Sequence, residues 1–321
     1  MSVPRILVFA RLANGNEGPV RVIEGQGTKL SRTMHGIAYD SVHDEIVVPV
    51  HLGGAVLVFR ASATGEEAPI RIIQGPHTHI LRPETVNVDV KNNEIVVGED
   101  VGQDVMFFPR EANGDVAPLR TIRGPKTGLD EVRGVTVDPI RNLLVVSSRS
   151  GKGTTGVFIF NRTDNGDVAP RSVIAGPKSG IIRIRQVEVE PEQGKIFVAV
   201  KNNVESYRFA DGSPSPWNPD KPGFIGVWDI NDNGDVPPRG VIKGPASEMV
   251  WPRAWPSIRV TGRSIRSTAC PTGCIRTICR NSFLPRSTPK GNDQKASRRT
   301  RAPGSVACDA GDARTGRTSG K

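Results

Sequence analysis

The sequence is poor in several residue types on which common functions depend. It has only 5 histidines, 4 cysteines and 2 tyrosines among 321 residues, and every cysteine follows residue 265. No nucleophile motif, phosphate-binding loop or HExxH zinc motif occurs in it. No segment keeps a helical period, and no apolar run approaches the length of a membrane span. These absences argue against a helical enzyme, a P-loop nucleotide hydrolase and a membrane-spanning protein.

What the sequence does contain is a unit that recurs five times. In each copy a proline is followed six positions later by a glycine, and the glycines lie 50, 49, 52 and 68 residues apart. The pairs are Pro19 and Gly25, Pro69 and Gly75, Pro118 and Gly124, Pro170 and Gly176, and Pro238 and Gly244. A repeat of this length, built from strand-like segments and tight turns, is typical of a β-propeller. We therefore predict an all-β propeller of four-stranded blades.

Each complete unit contains four segments with strand patterning. The first alternates apolar and polar residues, whereas the second is almost continuously apolar, as in Glu45–Val50. An Asn-Gly or Thr-Gly pair between the third and fourth segments supplies the positive φ of a tight hairpin turn. An acidic residue ends each first segment, and we expect it to hydrogen-bond the following turn. These residues are Asp40, Asp89, Asp138 and Glu190.

The units divide the chain into a propeller over residues 5–252 and a tail over residues 253–321. Four units are complete, at 33–75, 83–124, 132–176 and 184–244, and a partial unit at 5–25 has only third and fourth strands. This partial unit either closes the last blade as a strap, giving five blades, or is the remainder of a six-bladed parent. No secretory signal segment precedes it, and the sequence predicts no localisation.

The tail differs from the repeats in charge. It contains 15 Lys and Arg residues against 3 Asp and Glu, whereas the chain before it contains 28 against 30. Codons that could encode residues 253–265 can also encode, in a shifted frame, the expected first two strands of a further blade. We interpret the tail as out-of-frame translation and expect it to be disordered. The alternatives are a basic arm that binds nucleic acid and a metal site among four cysteines. These are Cys270, Cys274, Cys279 and Cys308.

Charged side chains vary between units at two equivalent positions that a propeller would place at its channel mouth. The starts of the first strands hold His35, Glu84, Arg133 and Arg185. The ends of the second strands hold His51, Asp100, Arg149 and Lys201. Core positions keep similar residues because each unit packs in the same way, whereas these two positions hold different residues in different units. They form either a solvated rim or a site whose four cations hold an anionic or hydroxyl-rich ligand.

An insertion distinguishes the last complete unit from the others. About twenty extra residues follow Lys201, and their aromatic side chains are Tyr207, Phe209 and Trp217. Proline and glycine keep the segment irregular, and we expect it on the channel-mouth face. It is either a long loop that packs on itself or a lid that contacts a ligand.

The pattern G-V-x-V-D, followed by E-I-V-V and V-x-V-F strands, resembles the NHL, SMP-30 and gluconolactonase-like propellers. In the lactonase members a channel calcium, held by carboxylates and amides, activates water against a lactone. The resemblance implies a metal-dependent hydrolase as an alternative function, with Glu84 and Asp100 as metal candidates. His35, Arg133 and Arg185 depart from that ligand set, and the two arginines would repel calcium. We therefore predict a non-enzymatic binding module for a polar ligand or a protein, without a cofactor.

Overall fold

Antiparallel β-sheets dominate the fold, which we describe from a computed structural model over residues 4–151, 153–201, 223–243, 247, 266–269 and 275–278. The chain divides into two units, Met1–Ser282 and Phe283–Lys321, and every described residue belongs to the first. As predicted, the described residues are mostly β, with four sheets of four strands and two sheets of two strands. These residues do not show a closed ring of sheets. They also include no helix with the length and apolar character needed to cross a membrane.

Each complete repeat forms one antiparallel sheet whose strands follow in chain order. The partial unit at the start pairs β1 (Arg5–Val8) with β2 (Arg21–Glu24). The first sheet contains β3 (Ala38–Asp40), β4 (Glu45–Val50), β5 (Ala55–Arg60) and β6 (Arg71–Ile73). The second contains β7 (Pro83–Asp89), β8 (Glu94–Glu99), β9 (Val105–Pro109) and β10 (Arg120–Ile122). The third contains β11 (Glu131–Asp138), β12 (Leu143–Arg149), β13 (Gly156–Asn161) and β14 (Ser172–Ile174). The fourth contains β15 (Ile184–Glu190), β16 (Lys195–Val200), β17 (Phe224–Asp229) and β18 (Gly240–Ile242).

Short 3-10 helices and one further hairpin complete the described structure. The helices are η1 (Gln26–Thr28), η2 (His51–Gly53), η3 (Pro76–Thr78) and η4 (Pro125–Thr127). The hairpin pairs β19 (Arg266–Ala269) with β20 (Ile275–Ile278), within the tail expected to be disordered. The rest of the tail, including all four cysteines, lies outside the described residues. The out-of-frame interpretation therefore stays a prediction.

The hydrophobic core lies between successive sheets. On one face of β4, Val48 packs in a cluster with Ile6 of the partial unit. On the other face, Val47 packs in a cluster with Ile95 of the second sheet. Two further clusters join the second sheet to the third and the third to the fourth. The second strands are buried on both faces, which explains their nearly continuous apolar sequence.

A repeated backbone contact joins the fourth strand of each unit to the turn glycine of the next. We call these contacts the fourth-strand junctions. They are the parallel bridges Ile23 to Gly65, Ile73 to Gly114, Ile122 to Gly166 and Ile174 to Gly234. In the third junction the amide of Gly166 donates to the carbonyl of Thr121 at 2.7 Å, and Asn165 Oδ1 accepts from the Thr121 amide at 3.1 Å. The glycines have positive φ, as predicted for the turn, and the same turn also connects neighbouring sheets.

Candidate functional site

Three of the four varying side chains at the starts of the first strands lie at irregularities in the sheets, and the fourth, His35, precedes β3. The register of β7 with β8 shifts between Pro83 and Thr85, so that Glu84 is the extra residue of a β-bulge. The same shift occurs around Arg133 in β11 and around Arg185 in β15. A bulge redirects a side chain that would otherwise follow the alternation of the strand. The structure thereby brings these side chains together from neighbouring sheets.

Glu84 is the centre of this group, and its side chain is only 2% exposed. Its Oε2 lies 2.5 Å from Nδ1 of His35 and 3.4 Å from Nδ1 of His51. Its Oε1 accepts a hydrogen bond from Arg133 at 2.9 Å and forms an ion pair with Arg185 at 3.5 Å. One carboxylate oxygen therefore faces two imidazoles and the other faces two guanidinium groups.

Arg133 links Glu84 to two further carboxylates. Its Nη2 forms an ion pair with Asp100 at 3.2 Å and donates to Glu131, which also binds Arg149. Glu131 was not among the residues singled out from the sequence, because it precedes the first-strand position by two residues and has no equivalent pattern in other units. We call the following set the Glu84 cluster. It comprises His35, His51, Glu84, Asp100, Glu131, Arg133, Arg149 and Arg185.

These contacts shift the pKa values of the cluster in opposite directions. Burial alone would raise the pKa of Glu84, but His35 and Arg133 outweigh burial and lower that pKa to about 2. Burial raises the pKa of Asp100, with repulsion from Glu84 added and attraction to Arg133 opposing it. Burial also lowers the pKa of His51 below its usual value. Glu84 is therefore a fixed anion, and His51 favours the neutral imidazole at neutral pH.

Burial differs among the positions that the sequence suggested as either a solvated rim or a ligand site. The Arg133 side chain is only 9% exposed, and Lys201 and His51 are also buried. Arg133, like Glu84, lies at a β-bulge, whereas His51 and Lys201 directly follow the second strands of their sheets. Arg185, Arg149, Glu131 and His35 remain partly exposed. The predicted lid residues Tyr207, Phe209 and Trp217 lie outside the described residues.

A second buried acidic group was not expected from the sequence. Glu99, at the end of β8, accepts backbone N–H groups of Leu81 and Arg82 at 2.8–3.0 Å. Burial raises its pKa to about 7 despite these amides, and burial raises the pKa of nearby Asp104 to about 6. Oδ1 of Asp104 is buried without a hydrogen-bond partner among the described residues. The equivalent positions of the other units hold no carboxylate. A comparison of the units at these positions is the sequence signal that could have identified Glu99 and Asp104 as candidates.

The acidic residues that end the first strands have the predicted structural role. Asp40 accepts the amides of Val42 and His43 at 2.9 and 3.0 Å, and Asp138 accepts those of Ile140 and Arg141 at the same distances. Each carboxylate is saturated by the turn that follows its own strand. These residues therefore hold the turns and do not belong to the candidate site.

The Glu84 cluster does not fit the calcium site that the family resemblance implies. Calcium requires six to eight oxygen ligands. Among the described residues, Glu84 supplies the carboxylate that groups with His35 and His51, and Asp100 is engaged by Arg133. The groups that face Oε2 of Glu84 are imidazole nitrogens, which calcium binds poorly. We derive no calcium-dependent step from this site. The chain matches no protein-family model, and a search of curated proteins found no relative.

Proposed function

We propose that the chain is a β-propeller binding module that takes a small, anionic, hydroxyl-rich ligand at the Glu84 cluster. The propeller arrangement is supported by the series of contacts between first strands, in which β3 touches β7, β7 touches β11 and β11 touches β15. The repeated fourth-strand junctions support it at the opposite edges of the sheets. First strands in series along one edge are what a radial arrangement of blades requires.

The observation that carries the ligand site is the convergence of charged side chains from four consecutive sheets on one buried carboxylate. Glu84 and Arg133 form a fixed floor whose charges are already paired. The cluster also contains two partly exposed arginines, Arg149 and Arg185, and the partly exposed Glu131. Arginine donors suit a carboxylate, and carboxylate acceptors suit hydroxyl groups. Sugar acids combine both features.

The same geometry explains why a binding function is favoured over catalysis. Every described carboxylate of the cluster accepts from, or forms an ion pair with, an arginine or histidine of the cluster. Glu84, the most buried, has a pKa of about 2 and is therefore a poor proton acceptor at neutral pH. A rigid, paired floor orients a ligand without needing to react with it.

Calorimetry with gluconate and with neutral glucose tests the proposal. We expect gluconate to bind and glucose to bind more weakly, because only gluconate carries the anionic group for the arginines. Arg185→Gln should weaken gluconate binding by about ten- to a hundred-fold, the loss of one charge-assisted hydrogen bond. The matched control is Arg60→Gln, since Arg60 pairs with Glu67 in a separate exposed ion pair.

Two outcomes would contradict the proposal. The first is equal affinity for gluconate in the Arg185→Gln and Arg60→Gln variants. The second is the absence of any heat across a panel of sugar acids at millimolar concentration. Arg133 is not used in this test, because its burial against Glu84 would confuse loss of binding with loss of folding.

A further inference from the structure

Three donor groups of the Glu84 cluster are arranged as the ligands of a metal ion would be. One ligand atom from each of His35, His51 and Glu84 lies within 4.8 Å of the other two. The two imidazole rings have centroids 5.4 Å apart and are inclined by 55°, and both rings present Nδ1 to Oε2 of Glu84. Two imidazole nitrogens and one carboxylate oxygen are donors found in many zinc sites.

His51 supplies an independent observation. Its Nδ1 is buried and makes no hydrogen bond within the described part of the chain, although the residue is only 9% exposed. Buried polar atoms are nearly always hydrogen-bonded, and an exception calls for a missing partner. Oε2 of Glu84 lies 3.4 Å from this Nδ1, which is longer than a good hydrogen bond but suits two atoms that bind the same ion.

We propose that His35, His51 and Glu84 bind a divalent first-row transition-metal ion of the zinc class, with Oε2 of Glu84 as the carboxylate ligand. The inference shares residues with the proposed ligand site but does not depend on a sugar acid. The metal is expected to bind in the absence of any organic molecule.

Of the two distances to Oε2 of Glu84, one agrees with this assignment and the other requires a small movement. Bonds of 2.0–2.1 Å in a tetrahedral site place neighbouring donor atoms about 3.3 Å apart. The separation of 3.4 Å between His51 and Glu84 already has this value. The separation of 2.5 Å between His35 and Glu84 would increase when a metal replaces their hydrogen bond and the proton passes to solvent. His35 can make this movement because its side chain is 38% exposed.

The arginines do not prevent this assignment, because they contact the other oxygen of Glu84. Arg133 and Arg185 approach Oε1, which leaves Oε2 to the imidazoles. Partners of this kind orient a ligating carboxylate and keep it ionised. The charge of Arg133 is itself balanced by Asp100 and Glu131. Three protein ligands would leave one coordination position open to water or to an anion.

Zinc titration of the full chain by calorimetry tests the site. The four cysteines of the tail must first be alkylated, so that their thiolates do not bind the metal. We expect one equivalent of zinc to bind and calcium to give no heat. His35→Ala and His51→Ala should each weaken zinc binding by more than about ten-fold, since even supporting residues of metal sites have effects of this size.

The matched control is His77→Ala. His77 is 77% exposed and pairs with Asp115, so its removal should leave zinc affinity unchanged. Cobalt(II) spectra of the alkylated wild-type chain provide a second measurement that needs no variant, and they should show visible d–d bands without a sulfur charge-transfer band. The proposal is overturned if alkylated wild-type chain binds no zinc, or if the His35→Ala and His51→Ala variants bind it as tightly as His77→Ala.

The outcomes also separate this inference from the proposed function. Zinc binding without gluconate binding would support the metal site and contradict the sugar-acid site. Gluconate binding to metal-free protein, with no zinc bound at all, would give the reverse result.

Discussion

The fourth-strand junctions and the Glu84 cluster connect the same sheets in two different ways. Each junction uses the same backbone bridge between an isoleucine and a turn glycine, and it recurs four times with little change. The Glu84 cluster takes one histidine, glutamate or arginine from equivalent positions of successive units, and no two neighbouring contributions form the same contact. One region is built by repetition and the other by substitution at repeated positions.

The difference shows which positions the repeat leaves free to change. A junction depends on backbone hydrogen bonds and on a glycine with positive φ, so any unit with that turn can form it. A buried charge instead needs a particular partner, and replacing one member leaves the others unpaired. The cluster is therefore expected to be sensitive to single substitutions, whereas the junctions should respond alike in every unit.

The largest effect should come from Glu84→Gln. Loss of the carboxylate leaves Arg133 buried without one of its partners, and we expect the free energy of unfolding to fall by about 3 kcal/mol. Urea denaturation at neutral pH measures the change. Glu67→Gln removes one member of an exposed ion pair with Arg60 and should cost less than about 1 kcal/mol. Similar losses of unfolding free energy in both variants would show that the cluster is no more sensitive to the loss of a partner than a surface ion pair is.

The lowered pKa of Glu84 also predicts the direction in which stability changes with pH. Its pKa is lowered from 4.5 to about 2, so the ionised group stabilises the folded chain above the unfolded pKa. This contribution is lost as the pH falls from 4.5 towards 2, and the Glu84→Gln variant should lack that part of the acid transition.

The sequence predicts the repeated region far better than the cluster. The second strands were expected at Glu45–Val50 and its equivalents, and the structure places them there because an apolar run buried on both faces admits few other positions. The Asn-Gly turns were predicted as well. The contact of these turns with the preceding unit was not predicted, because Gly166 and Ile122 are more than forty residues apart in the sequence.

The cluster could be predicted only as a set of candidate residues. Equivalent positions with different charges identify Glu84 and Arg133, but nothing local signals that bulges bury both side chains. Glu131 was missed because its role depends on the direction of Arg133 and Arg149. The partners of a buried charge are set by the packing of several sheets, which a single repeat does not encode.

Asp104→Asn examines a buried charge that lacks the partners of Glu84. Burial raises the pKa of Asp104 from 3.8 to about 6, with attraction to Arg123 and His79 opposing it only weakly. The folded state therefore holds a proton more tightly than the unfolded state, and wild-type stability should fall as the pH rises from about 4 to about 6. Asparagine removes that cost, so the variant should be more stable at about pH 8 by roughly 2 kcal/mol.

Urea denaturation at two pH values checks this expectation. The advantage of Asp104→Asn should disappear near about pH 3, below both the unfolded value of 3.8 and the folded value, where the wild-type carboxyl is largely protonated in both states. A variant that is less stable than wild type at both pH values would show that the attraction of Asp104 to Arg123 outweighs the cost of burial, and the contrast with Glu84 would then be lost.

The smallest effect should come from alanine at the junction glycines. These variants test whether equivalent junctions respond alike to the same substitution. Gly166 has φ of 78°, and an added Cβ would meet no atom within 4 Å, so Gly166→Ala costs only the backbone strain of a left-handed alanine. We expect the free energy of unfolding to fall by about 1 kcal/mol.

Gly114 and Gly234 have φ of 79° and equally open surroundings, so their alanine variants should lose the same amount. Gly18→Ala, at an open position without positive φ, is the control and should change little. Unequal losses among the three junction variants would mean that these contacts, like the Glu84 cluster, depend on the unit in which they lie.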